Sequence, residues 1–91
     1  MLPKHRAPSH PGEILLHEFL EPTGMSQVDL ARKLGIPIQR VNTIVNGRRG
    51  VTAETALLLA RQFGTTPQFW MNLQASSDLH EAAARLKPVA A

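Results

Sequence analysis

The sequence predicts an all-α fold, a compact domain of five helices, and three observations carry that reading. Apolar residues recur at spacings of three and four along most of the chain, and no run alternates apolar and polar as a half-buried strand would. The apolar stripes are punctuated by helix starts and stops, with Ser26, Thr52 and Thr66 ahead of stripes and Gly35, Gly47 and Gly64 behind them. At 91 residues the chain can bury one core but not two, and with no cysteine it must do so without a disulfide.

Residues 1–9 read as a flexible tail with prolines at positions 3 and 8. Lys4, His5 and Arg6 in it could brush a phosphate, but no role is expected of them. His10 and Pro11 open the first helix, expected over Gly12–Leu20. Ile14, Leu15, Leu16, Phe19 and Leu20 form its apolar stripe, with Glu13, His17, Glu18 and Glu21 outside. Pro22 and Gly24 are expected to end it.

The second helix begins at Ser26, whose hydroxyl can cap an N–H near Asp29, and Asp29 suits the positive end of the helix. Val28, Leu30, Ala31 and Leu34 give its apolar face. Gly35 supplies the left-handed backbone that a sharp turn requires. Pro37, lacking a backbone N–H, suits the first turn of the third helix. Val41, Ile44 and Val45 then face inward, while Gln39, Arg40, Asn42, Thr43 and Asn46 face out, and Gly47 stops the helix.

Gly47, Arg48, Arg49 and Gly50 form a basic loop. Thr52 caps the fourth helix, with Glu54 in its first turn and Leu57, Leu59, Ala60 and Phe63 as core contacts. Gly64 ends it. Thr66 and Pro67 open the fifth helix, where Phe69, Trp70, Met71 and Leu73 lead, a polar patch Gln74–Asp78 follows, and Leu79, Ala82, Ala83 and Leu86 continue. Met25, Met71 and Trp70 suit core packing. The fifth helix is longer than a small core needs, so Phe69, Leu73, Leu79, Ala83 and Leu86 are read as a stripe that meets a second subunit. The domain is placed at residues 10–87, with a short tail at 88–91.

Charge sharpens the functional reading. Between Asp29 and Glu54 stand Arg32, Lys33, Arg40, Arg48 and Arg49 and no acidic residue, so the net charge of +3 is concentrated on the second and third helices and the loop after them. That pattern suits a phosphate backbone. A short helix, a glycine turn and a second helix with a polar outer face form a helix-turn-helix, whose second helix can enter the major groove of DNA. The competing readings are a helical hairpin in a generic bundle and a solvated basic face. Ile38, Gln39, Arg40, Asn42 and Thr43 are the candidates for base contact: Gln39 suits adenine, Arg40 guanine, Ile38 a thymine methyl. Arg40 could instead lie along the backbone, and Asn42 could point partly toward the protein. Gln27, at the helix start, and Asn46, Arg48 and Arg49 are assigned to phosphates.

The stretch Gln27–Asn46 resembles the helix-turn-helix of the phage-repressor superfamily (Cro/CI-like, Xre), with Gln27, Ala31, Gly35, Val41 and Ile44 at its pattern positions. More widely, HPGEIL from His10 and VNGRRGVTAETALLLARQFGTTPQFWMNLQ from Val45 resemble the HigA-type antitoxins of toxin–antitoxin modules, related to the virulence-associated protein I group. At Ser76, Ser77 and His80 the chain departs from the aromatic residues this family often carries, and only the Asp78–Leu79 pair is kept. The resemblance implies a lambda repressor-like fold. It also implies a homodimer that binds duplex operator DNA, represses its own operon and neutralises an mRNA interferase of the HigB/RelE type, in the bacterial cytoplasm and on the nucleoid. A stand-alone Xre-type repressor without a toxin, and an interaction module that has lost DNA binding, are the alternatives.

Other classes find little support. His5, His10, His17 and His80 are scattered, with no HExxH pair and no cysteine ligands, so neither a metal, a cofactor nor catalysis is expected. NGRRG lacks the Lys-Ser/Thr ending of a phosphate-binding loop. No apolar run approaches the roughly 20 residues of a membrane helix, and no apolar segment follows the basic N-terminus as in a secretory signal. A soluble, intracellular protein is expected.

Overall fold

Five helices follow one another in the computed structural model, which describes residues 8–86. The expected tail at 88–91 and the candidates Lys4, His5 and Arg6 lie outside the described residues. Helix α1 spans 11–23, α2 Gln27–Leu34, α3 Ile38–Val45, α4 Ala53–Phe63 and α5 Pro67–Arg85. Helix α2 packs on α3 and α4, α4 on α5, and α1 on both α3 and α5. Every helix therefore contributes to one core, built from Leu15, Leu20, Leu30, Ala31, Val41, Ile44, Val51, Ala56, Leu59 and Trp70.

Helix α1 runs further than its proline suggests. Pro22 was expected to end it, because a proline ring collides with the carbonyl four residues back. The chain instead winds wide over Leu15–Leu20 as a π-helix, and the Glu21 N–H bonds the Leu16 carbonyl, five residues back. The wide turn relieves the collision, so Pro22 sits inside the helix, which closes at Thr23 and Gly24. The Thr23 hydroxyl donates to the Phe19 carbonyl at 2.6 Å. His17, outside as expected, bonds Glu21 at 2.9 Å, and that bond raises its pKa.

Three apolar residues expected inside are not there. Val28 is 53% exposed and Leu57 54%, and Met71 is also exposed. Residues two apart in a helix point to nearly opposite sides. With Leu30 and Leu59 turned into the core, Val28 and Leu57 have to face out. Met71 is turned out in the same way by Leu73, two residues on, which packs against the core.

Trp70 is fully buried and organises the α1–α5 contact. Its ring lies 5.1 Å from Phe19 and 5.1 Å from Phe69, and Phe19 in turn is 4.9 Å from Phe63. The indole Nε1 donates to the Thr65 hydroxyl at 2.7 Å. Burying a tryptophan requires such a partner. Thr65→Val keeps the shape but strands the indole N–H, and should cost about 1–3 kcal/mol. Urea denaturation followed by the fluorescence of Trp70, the sole tryptophan, measures the loss.

Candidate nucleic-acid interface

Helices α2 and α3 are joined by a turn whose residues each have a local reason. The Ser26 hydroxyl accepts the Asp29 N–H at 3.0 Å, and the Asp29 carboxylate accepts the Ser26 N–H at 3.3 Å. This reciprocal cap holds Asp29 below the usual carboxylate range, chiefly through its bonds to Ser26. The cap is therefore intact at neutral pH and weakens as pH falls into the acid range where Asp29 takes up its proton. At the other end Gly35 has φ 69°, and the Ile36 N–H bonds the Ala31 carbonyl at 3.1 Å. Pro37 stands at the N-cap of α3, one position before the expected first turn, with extended backbone.

The far end of α3 is closed by the basic loop. Gly47, at φ 75°, turns the chain back, and its N–H bonds the Ile44 carbonyl at 3.0 Å. The Arg48 and Arg49 N–H groups both reach the Thr43 carbonyl, at 2.9 and 3.2 Å. The loop arginines are thus tied by their own backbone to the helix they follow. Both are exposed.

Helix α1 fixes the height of α3. Gly12 is buried against the backbone of α3, and a Cβ there would overlap the Ile44 carbonyl. The N-terminus of α1 so abuts the C-terminal end of α3, an arrangement in which the two helix dipoles attract. His10 caps α1, its Nδ1 accepting the Gly12 N–H at 2.9 Å.

The candidate residues of α3 divide. Gln39 is exposed, while Arg40, Asn42 and Thr43 are half-buried on the flank. The Thr43 hydroxyl spends its hydrogen on the Gln39 and Arg40 carbonyls at 2.9 and 3.0 Å, leaving it an acceptor toward an outside partner. Ile38 packs against the core, with part of its surface outside. Gln27 lies half-buried at the start of α2, and Asn46 is exposed at the end of α3.

Three features went unread in the sequence. Arg40 pairs with Glu54 at 3.4 Å, a contact across fourteen residues with no local signal. Gly12 reads as a helix-opening residue, yet its role is close approach. Gln74, inside the polar patch noted on the fifth helix, reaches the basic loop. Chemically, the assembly offers an exposed amide on a short rigid helix with cations on either side. Arg32, Lys33, Arg48 and Arg49 are all exposed.

The predicted dimer stripe also divides. Leu73 packs on the core, whereas Phe69 touches the Trp70 ring yet stays 38% exposed. Leu79 is 70% exposed on the face it shares with exposed Ala83, and Leu86, 73% exposed, is the extended residue just past the helix end.

Residues 16–70 match a family model described as helix-turn-helix. Virulence-associated protein I of Dichelobacter nodosus is 49% identical over 73 residues, covering 80% of this chain and 68% of the relative. Antitoxin HigA-1 of Vibrio cholerae is 42% identical over 81 residues, covering 88% of this chain and 75% of the relative. Among solved structures, Pseudomonas aeruginosa antitoxin HigA with the higBA promoter superposes with a TM-score of 0.83 at 42% identity, covering 91% of this chain and 99% of that one.

The Gly12 contact makes the first test of this geometry. Gly12→Ala should push α1 away from α3 and destabilise the domain by about 1–3 kcal/mol, the usual cost of overpacking. Urea titration gives the loss. Amide shift changes centred on Ile44–Gly47, rather than spread along α1, identify the contact responsible.

Proposed function

The chain belongs to the helix-turn-helix family that includes antitoxin HigA and virulence-associated protein I, and from that premise we infer that it is a DNA-binding antitoxin. It binds its own operator, represses the operon, and neutralises an mRNA-cleaving toxin encoded beside it. The observation that carries the DNA-binding part is the polar outer face of α3, with Gln39 exposed between half-buried Arg40, Asn42 and Thr43, and with Arg48 and Arg49 pinned to its end. Its relatives carry the toxin part through the name antitoxin HigA.

In this reading α3 enters the major groove. Gln39 pairs with a base, an adenine fitting its amide best. Asn42, Thr43 and the exposed edge of Ile38 extend the contact, Thr43 as an acceptor. Arg40 reaches the duplex while leaning on Glu54, or by exchanging Glu54 for a base or phosphate. Gln27, Asn46, Arg48 and Arg49 grip phosphates and set the register of α3 in the groove. One α3 reads one half-site, and a second copy docking on Leu79, Ala83 and Leu86 supplies the other, about 34 Å away.

Binding to duplexes from the chain's own upstream region, measured across salt, tests these roles. Gln39→Ala should reduce the preference for operator over unrelated duplex, by a factor corresponding to about 1–3 kcal/mol. Arg48→Ala should weaken binding to both and flatten the salt dependence by about one phosphate contact. Two chains should load per operator. Equal losses on all sequences for both variants would contradict the division of roles. For the toxin, copurification with the product of the neighbouring reading frame and rescue of growth on co-expression are expected. Operator binding without either would leave a stand-alone repressor.

A further inference from the structure

The basic loop is held at both ends, and the second anchor comes from α5. The side chain of Gln74 reaches across to the loop, where its Oε1 accepts the Val51 N–H at 2.7 Å. Its Nε2 donates to the Asp78 carboxylate at 2.8 Å, one helical turn further along. The two contacts are complementary. Val51 offers only a donor and the carboxylate only acceptors, so the amide can satisfy both in one orientation. Gly50 completes the fit, since a Cβ there would stand 2.9 Å from Gln74 Cδ, too close for an amide pinned on both sides.

We propose that Asp78 and Gln74 are positioning residues for DNA binding, which hold the Arg48–Arg49 loop in place through Val51. This rests on the DNA-binding reading above and adds residues that touch no nucleic acid. The loop runs from the Thr43 carbonyl, which takes the Arg48 and Arg49 N–H groups, to the Gln74 amide, which takes Val51. Between those anchors the two arginines are exposed. Val51 is itself packed in the core, and the Gln74 bond adds direction to that anchor, so the strap has less freedom and a phosphate contact has less ordering to offset. With both ends fixed, that ordering is built into the free protein.

The test uses the full chain and two readouts. In Gln74→Leu the Val51 amide should exchange with solvent at least tenfold faster in the free protein, while the domain still melts cooperatively. Operator binding by the same variant should weaken and lose about 1–2 from the slope of log K against log salt, at about 0.9 per phosphate contact. Asp78→Ala should show the same changes to a smaller degree, and Asp78→Asn, which keeps an acceptor oxygen, should restore the wild-type values. Gly50→Ala should resemble Gln74→Leu. Unchanged Val51 exchange in Gln74→Leu overturns the relay. Faster exchange with wild-type affinity and slope overturns its role in positioning. A wild-type chain that binds no duplex overturns the DNA-binding reading and this role together, whereas intact wild-type binding with an unaffected Gln74→Leu overturns this role alone.

Discussion

The structure depends on the burial of one edge of a helix too short to exist alone. Helix α3 has eight residues, far below the length at which an isolated helix persists in water. Val41 and Ile44 are its only fully buried side chains among the described residues, and they hold it. Leu30 and Ala31 meet it from α2, and Gly12 lets α1 lie against its last turn. Each neighbour removes one freedom: α2 sets its angle and α1 its height, while the Gly47 turn closes its end. What is left outside is a polar face whose orientation is decided by apolar contacts on the opposite side. Geometry of that kind is needed for reading a groove, because a bidentate contact to a base tolerates little misplacement.

Electrostatics acts on top of this frame, and it is distributed rather than concentrated in strong pairs. The exposed Asp29–Arg32 and Glu81–Arg85 contacts, both at 3.8 Å, add little to stability. Arg40 differs, because it is partly enclosed and leans on Glu54 at the start of α4. Glu54 there serves two ends, stabilising the N-terminus of α4 and holding the guanidinium on the flank of α3. The cations of α2 and the basic loop, Arg32, Lys33, Arg48 and Arg49, are exposed and available to phosphates.

Much of this was legible in the sequence, and the parts that were not share a cause. Ser26, Gly35, Thr52, Gly64 and Thr66 fall at helix ends as read, because caps and left-handed glycines act within three or four residues. Val41 and Ile44 face inward as their spacing requires. Val28 and Leu57 were misread because apolar character was allowed to stand for direction, although each lies two residues from a core leucine. Pro22 was misread because the rule that a proline ends a helix assumes a regular helix, and a π-turn suspends it. The Arg40–Glu54 pair, the Gly12 approach and the Gln74 bridge join residues far apart in the chain. Neither periodicity nor capping chemistry carries information about such contacts. Gln74 had at least been read as the start of a polar patch on its helix.

Helix α5 shows how one element can serve both the fold and its surface. Its first half is committed: Trp70 and Leu73 belong to the core, and Gln74 is bonded to the loop. From Ala75 to Leu86 no residue is buried, yet Leu79 on the helix and Leu86 just past its end are both well exposed. A helix of nineteen residues is long enough to remain helical when its first half is anchored. The second half is therefore a rigid extension, and it can present those leucines without ordering a chain on contact. Asp78 sits at the junction, bonded to Gln74 on one side and adjacent in sequence to Leu79 on the other. The exposed Leu79 and the basic loop are thus joined through two side chains, Asp78 and Gln74, and two hydrogen bonds.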